Sequence, residues 1–128
     1  MAVEFNHPIA GTRDKSASAR WLAGILGLPE PTTYGPFAVL ALANGVSLDF
    51  LEHDGPIESA HYAFLVSEAE FDDAVDRLRE QGVTWFADPM HRQPDRWNTE
   101  DGGRGLYFDD LNGHSIELIA RPHGRGGS

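Results

Sequence analysis

The chain has 128 residues, of which 41% are hydrophobic, so we predict a folded globular domain and not a disordered segment. Its 20 acidic and 10 basic side chains give a net charge of −10, which argues against nucleic acid and anionic membranes as partners because both favour concentrated positive charge. The chain has no cysteine, which excludes disulfides, zinc–thiolate sites and thiol catalysis.

The first predicted elements are a strand and a helix. Apolar and polar residues alternate over Val3–Ala10, which is typical of a strand. Asp14 or Ser16 is the predicted N-cap of the following helix, and Gly27 is its predicted end. Residues 1–10 have no basic-then-apolar pattern and the chain has no long apolar run, so we expect a cytoplasmic protein without a membrane partner.

Two further strands are predicted to form a hairpin. They are Phe37–Leu42 and Val46–Glu52, and Asn44-Gly45 lies between them. Asn-Gly is a strong hairpin signal because both residues tolerate the positive φ of a tight turn.

The second half of the chain predicts the same order of elements. Ala60–Val66 is a predicted strand, and Ser67–Glu70 is a capping box that opens a helix. Val83–Ala87 is a predicted short strand, followed by a long polar loop over Asp88–Gly103. A second Asn-Gly pair then joins two predicted strands, Gly105–Asp110 and His114–Ala120.

The two halves also match residue by residue. Residues 44–50 and residues 112–118 both read N-G-x-S-(L/I)-(D/E)-(F/L). His7 and His61 occupy corresponding places in the opening strand of each half. We therefore interpret the chain as two copies of a strand–helix–strand–strand unit that fold together, because neither copy alone can bury its sheet.

Four polar residues lie on strand faces that otherwise look buried or half-buried. His7 corresponds to His61 in the repeat, and Asp49 corresponds to Glu117. A carboxylate in such a place needs a partner, since desolvating it alone costs several kcal/mol. A divalent metal would satisfy all four residues at once. Taken singly, a histidine on an apolar strand is usually a satisfied core residue, and an acid near a strand end is usually exposed.

The sequence resembles the vicinal oxygen chelate superfamily, which includes glyoxalase I, fosfomycin-resistance enzymes, bleomycin-binding proteins and extradiol dioxygenases. The matching segments are Asn6-His7 and residues 24–29, 61–66 and 105–118. This resemblance implies an α+β fold in which two tandem βαβββ modules form a curved mixed sheet with the helices outside. The implied domain covers residues 1–122, with modules at about 3–53 and 60–120, and residues 123–128 form a flexible tail.

The resemblance also implies the roles of individual residues. His7, His61 and Glu117 fall on the metal ligands of the superfamily, and Asp49 falls on a fourth ligand that some members have. Fe²⁺, Mn²⁺, Ni²⁺, Co²⁺ and Zn²⁺ all suit such ligands. Tyr107 lies ten residues before Glu117, as the acid–base tyrosine of extradiol dioxygenases does, although an aromatic residue here also serves packing.

The function implied is that of a metal-dependent enzyme of the glyoxalase or dioxygenase type, acting on a small substrate that chelates the metal through neighbouring oxygens. A fosfomycin-type transferase has less support, because no potassium- or thiol-binding pattern is present. The alternatives are a non-catalytic drug- or metabolite-binding protein of the bleomycin-resistance type and a structural partner without metal. A homodimer is also implied, and we hypothesise that His7 and Asp49 of one chain meet His61 and Glu117 of the other.

Two further expectations concern polar residues outside this set. Arg92, Arg96 and Arg104 populate the long loop, where they would either hold an anionic substrate group or remain solvated. His53 is expected in an exposed loop and His114 at the surface of the second hairpin.

Overall fold

The computed structural model describes residues 2–100 and 102–120. In this part of the chain the fold is α+β, with two helices and seven strands. In chain order these are β1 (Ile9–Thr12), α1 (Lys15–Leu26), β2 (Thr32–Tyr34), β3 (Phe37–Ala41), β4 (Ser47–Glu52), β5 (His61–Leu65), α2 (Glu68–Glu80), β6 (Gly105–Asp109) and β7 (Ser115–Ile119). They belong to two compact units, residues 1–58 and residues 59–128. The predicted tail, residues 123–128, lies outside the described residues.

The first unit is a βαβββ module. Its four-stranded sheet has the order β1-β4-β3-β2, in which β1 runs parallel to β4 and the other pairs are antiparallel. Helix α1 contacts the two central strands, β3 and β4. Leu22, Ile25, Leu40 and Phe50 are buried and form the core of this unit. This module confirms the strand–helix–strand–strand order predicted for the first half.

Helix α1 begins and ends where capping chemistry predicts. The Asp14 carboxylate accepts a hydrogen bond from the Ala17 N–H at 3.1 Å, so Asp14 and not Ser16 is the N-cap. Gly27 is the C-cap and has a left-handed backbone with φ 71°. Its N–H donates to the carbonyl of Ala23, which satisfies one of the free carbonyls at the helix end.

Strand β1 is shorter than predicted. It starts at Ile9 and not at Val3, although the preceding residues still pair with β4. The N–H groups of Ser47 and Asp49 donate to the carbonyls of Asn6 and Pro8, both at 3.1 Å. Pro8 has no N–H to return, so a regular two-sided ladder begins only after it.

The second unit has a three-stranded sheet of order β5-β7-β6. Strand β5 runs parallel to β7, and β6 is antiparallel to it. The predicted capping box is confirmed: the Ser67 hydroxyl accepts from the Glu70 N–H at 3.1 Å, and the Glu70 carboxylate accepts from the Ser67 N–H at 2.8 Å. The apolar core of the unit consists of fully buried strand residues and one face of α2, namely Leu106, Phe108, Ile116, Leu118, Phe71 and Leu78.

The predicted strand Val83–Ala87 does not form as a strand. Only Phe86 pairs with β6, where its N–H and carbonyl exchange hydrogen bonds of 2.8 Å with Tyr107. The long loop then folds back on itself, since the Ala87 N–H donates to the Gln93 carbonyl at 3.0 Å. In the described residues the fourth strand position of the second module therefore consists of two isolated bridges to β6, from Phe86 and from Asn98. Neither helix in the described ranges is long and apolar enough to cross a membrane.

Asp88 organises the start of this loop, and this gives a pH-dependent prediction. Its carboxylate accepts hydrogen bonds from the N–H groups of Arg92 at 2.9 Å and Gln93 at 2.8 Å. Burial raises the pKa of Asp88, but these N–H groups outweigh burial and hold the pKa below its ordinary value. A carboxyl with a depressed folded-state pKa stabilises the fold above its unfolded pKa of about 3.9, and this contribution is lost as pH falls through the folded value.

We therefore expect the amide signals of Arg92 and Gln93 in NMR spectra to titrate together, with a midpoint below about pH 3.9. In the variant Asp88→Asn the same signals are expected not to titrate in this range. A midpoint at or above the ordinary aspartate value would contradict the assigned role of the loop amides.

Candidate metal centre

The first unit brings His7 next to Asp49. Asp49 lies at the middle of β4, and its side chain is only 8% exposed, whereas that of His7 is 40% exposed. His7 Nε2 lies 3.8 Å from Asp49 Oδ2. The remaining polar atom of each side chain makes a hydrogen bond. Ser47 Oγ donates to Asp49 Oδ1 at 2.7 Å, and His7 Nδ1 donates to Asn6 Oδ1 at 2.6 Å.

These hydrogen bonds determine which atoms of His7 and Asp49 face each other. Because Asn6 Oδ1 can only accept, His7 Nδ1 carries a proton, and in the neutral imidazole Nε2 then carries the lone pair. That lone pair faces Asp49 Oδ2 across a gap too wide for a hydrogen bond. Two ligand atoms that share one metal at about 2.1 Å lie roughly 3 to 4 Å apart. The 3.8 Å spacing is compatible with two atoms that share one metal, and each side chain is held by a second hydrogen bond.

The second unit brings His61 next to Glu117. On β5 and β7, Ala63 lies opposite Glu117, and His61 lies opposite Ser115, so His61 and Glu117 are diagonal neighbours on one sheet face. His61 Nε2 and Glu117 Oε1 are 2.8 Å apart. The Glu117 side chain is 8% exposed and that of His61 is 48% exposed, so a buried carboxylate again lies beside an accessible imidazole.

The two pairs occupy equivalent places in the repeat. The Ser47 N–H donates to the Asn6 carbonyl at 3.1 Å, and the Ser115 N–H donates to the Ala60 carbonyl at 2.8 Å. In each case the accepting residue directly precedes the histidine, and the donating residue lies two positions before the acid. The internal repeat predicted from sequence is thus a repeat of backbone hydrogen bonding.

Tyr107 distinguishes the second unit from the first. It lies directly opposite Glu117 on β6, and its ring centroid is 6.0 Å from that of His61. The corresponding position opposite Asp49 in the first unit is Val39. Only the second pair therefore has a phenol on an adjoining strand.

The donor set fits a divalent metal. It comprises two imidazoles and two carboxylates, both carboxylates are largely shielded from water, and no thiol is available anywhere in the sequence. Within either unit, the residues described contain no cluster of three or more His, Asp or Glu side chains at metal-binding distance. Each unit accordingly holds half of the predicted ligand set.

The interpretation of Arg104 as a holder of an anionic substrate group is not supported. Its guanidinium is engaged by two carboxylates on α2, at 2.7 Å to Glu68 and 2.8 Å to Asp72. It also lies 4.4 Å above the ring of Phe71 and 5.0 Å from that of Trp97. Burial lowers the pKa of this guanidinium, but Asp72 and Glu68 raise it by more, so the net pKa is raised and the group stays charged. The charged guanidinium therefore connects the end of the long loop to α2.

His91 in the long loop contacts residues next to β6. The ring of His91 stacks on Phe86 at 4.0 Å between centroids, and His91 Nε2 lies 3.5 Å from Asp109. Phe86 pairs with Tyr107, so His91 lies along the edge of the sheet that carries Tyr107. Arg92 and Arg96 are exposed in the same loop.

The prediction that His114 lies at the surface is wrong. His114 is 1% exposed, and its Nδ1 accepts a hydrogen bond from the Ala60 N–H at 3.0 Å. Its ring meets that of Tyr62 edge-on at 5.6 Å. Burial, and then the nearby Asp110, raise the pKa of Tyr62. The sequence signal that was missed is the period of two: His114 lies directly before β7 and two residues before Ile116, on the strand face whose side chains are fully buried.

Comparison with known proteins agrees with the fold. Two solved structures named Oxidase ChaP-H1 and Oxidase ChaP-H2 both superpose with a TM-score of 0.94; they are 53% and 54% identical, and the matches cover 96% and 99% of this chain and 99% and 100% of theirs. Glutathione transferase FosA of Serratia marcescens is 29% identical over an alignment of length 124, which covers 92% of this chain and 81% of FosA. No protein-family model matches the chain.

A glyoxylase/bleomycin resistance protein/dioxygenase domain from Frankia sp. EAN1pec shares the fold, with a TM-score of 0.68 at 23% identity over 93% of this chain and 91% of that one. Together with the βαβββ repeat, these likenesses identify the class. The chain belongs to the vicinal oxygen chelate superfamily. The resemblance inferred from sequence is confirmed.

Proposed function

We propose that the chain is a divalent-metal-dependent oxidase whose small substrate binds the metal through neighbouring oxygens. His7, His61 and Glu117 are the proposed ligands, with Asp49 as a fourth ligand or a base. The observation that carries this proposal is the pair of equivalent imidazole–carboxylate sites, each with a buried acid. The two relatives named oxidases, at 53% and 54% identity, support oxidation over isomerisation.

In this proposal the protein side chains prepare the site and handle protons. A bound divalent metal supplies Lewis acidity toward chelating oxygens. Asn6 and Ser47 orient His7 and Asp49 before any substrate arrives. The Tyr107 phenol is the proposed proton donor or acceptor, because it lies on the strand next to Glu117 and near the His61 ring.

Metal content tests the proposal directly. The protein purified without a chelator or an affinity tag is expected to contain about one transition metal per chain, and His7→Ala and Glu117→Ala are each expected to lose it. His53→Ala serves as a control, since His53 lies in an exposed loop after β4. A wild-type protein that has no metal and gains no melting temperature with any divalent ion would overturn the enzyme proposal and favour the non-catalytic binding protein.

We also propose that the metal site is shared between the subunits of a homodimer. Here His7 and Asp49 come from one subunit and His61 and Glu117 from the other. Equal amounts of His7→Ala and Glu117→Ala chains, unfolded and refolded together, then form mixed dimers with one intact site. Metal is expected to return to about one quarter of the wild-type content, because about half of the dimers are mixed. No return of metal would show that each chain holds its own site.

A further inference from the structure

His114 is the most deeply buried histidine in the described part of the chain, and none of the chemistry above uses it. Its Nδ1 accepts the Ala60 N–H at 3.0 Å, and its ring packs edge-on against Tyr62. Ala60 and Tyr62 are the two residues that flank His61. The buried His114 side chain therefore contacts the backbone of the residue before His61 and the ring of the residue after it.

The surrounding hydrogen bonds tie the same short segment to the second hairpin. The Ser115 N–H donates to the Ala60 carbonyl at 2.8 Å, and Ser59 Oγ donates to the Gly113 carbonyl at 2.8 Å. Both the N–H and the carbonyl of Ala60 are thus bonded to consecutive residues, His114 and Ser115. Residues 59–62 cannot shift along the sheet without breaking several of these bonds.

The first unit has a different arrangement at the equivalent place. Val46 corresponds to His114, and a valine side chain offers no acceptor to the preceding strand. There the imidazole of His7 is held directly, through its Nδ1 and Asn6. In the second unit Ala60 takes the place of Asn6, and an alanine side chain cannot make such a bond.

We propose that His114 is a positioning residue that holds His61 in register with Glu117. This inference rests on the proposed function, which assigns His61 and Glu117 as two of the four metal ligands. His114 fixes the backbone at Ala60 and the ring of Tyr62, and this keeps His61 Nε2 at its 2.8 Å distance from Glu117 Oε1. It acts through His61 and takes no part in the chemistry itself.

The test compares two variants with a control. His114→Val copies the residue of the first unit and removes the acceptor, while His114→Asn restores an acceptor because Asn Oδ1 takes a place close to that of Nδ1. Val46 shows that the hairpin accepts valine, so His114→Val is expected to fold. Leu78→Val is the control, since it removes buried volume from α2 away from the pair.

Two readouts do not need a metal. In His114→Val the Ala60 amide is expected to exchange with deuterium at least about 10-fold faster, and the ring ¹⁵N signal of His61 is expected to move toward that of a free imidazole. His114→Asn is expected to restore both, and Leu78→Val to change neither. Unchanged Ala60 exchange and an unchanged His61 signal in His114→Val would overturn the inference.

The third readout is the affinity for Mn²⁺, measured by calorimetry. His114→Val is expected to bind Mn²⁺ at least about 10-fold more weakly, as loss of an outer partner of a ligand does, and His114→Asn within about 3-fold of the wild type. An equal loss in Leu78→Val and His114→Val would show a merely structural role and overturn the inference. If the wild-type protein binds no Mn²⁺ or other divalent ion, the proposed function fails, and the two metal-free readouts still decide the role of His114.

Discussion

Glu117→Gln is expected to weaken divalent-metal binding by at least about 100-fold while leaving the metal-free fold intact. A carboxylate ligand supplies charge that an amide of the same shape lacks, and outer partners alone are worth about 10- to 100-fold in affinity. Glu117 is 8% exposed at its side chain and lies 2.8 Å from His61, so it is the carboxylate placed directly beside that proposed ligand. Metal titration by calorimetry and melting curves with and without metal measure the two effects.

Asp49→Asn is the matched comparison, and its expected loss is smaller, about 10-fold. Asp49 Oδ2 is 3.8 Å from His7, and its side chain is one methylene shorter than that of glutamate.

The metal-free melting temperature of Glu117→Gln is expected to equal or exceed that of the wild type, because the variant no longer buries a charge. Full metal affinity in Glu117→Gln would remove Glu117 from the proposed ligand set.

Phe71→Ala is expected to lower the free energy of unfolding by about 3–5 kcal/mol, which is a large part of the stability of a chain of this size. The Phe71 ring is fully buried on α2, beneath the guanidinium of Arg104 at 4.4 Å and edge-on to Trp97 at 5.8 Å. Removing it leaves a cavity and also withdraws the surface on which Arg104 lies. Urea denaturation followed by circular dichroism measures the change.

Asp73→Ala is the control for this experiment, since Asp73 lies on the exposed face of the same helix. Its effect is expected to stay within about 0.5 kcal/mol. A loss below about 1.5 kcal/mol for Phe71→Ala would show that the core of the second unit does not depend on this ring.

The parts of the fold that sequence predicted are those with local chemical signals. The Ser67–Glu70 capping box, the Gly27 helix end and both Asn-Gly hairpins were predicted because each depends on residues within a few positions of one another. The repeat predicted which residues would be equivalent, and the His7–Asp49 and His61–Glu117 pairs follow from that equivalence.

The parts that were missed depend on contacts distant in sequence. Strand β2 has three exposed residues without alternation, and it forms only because β3 pairs with it. Val83–Ala87 has the composition of a strand, yet its pairing stops after Phe86 because the chain turns back toward Gln93. The burial of His114 and the ion pairs of Arg104 likewise require partners that sequence spacing does not reveal.

The hairpins of the two units are closed by the same backbone bonds. The Leu42 N–H donates to the Val46 carbonyl and the Asp110 N–H donates to the His114 carbonyl, both at 2.9 Å. Because these bonds involve no side chain, one half of the molecule can change its chemistry while both halves keep their strand register. The contrast between Val39 and Tyr107 is one such divergence. For protein engineering, Val39 is consequently the position at which a second phenol can be introduced with little risk to the sheet.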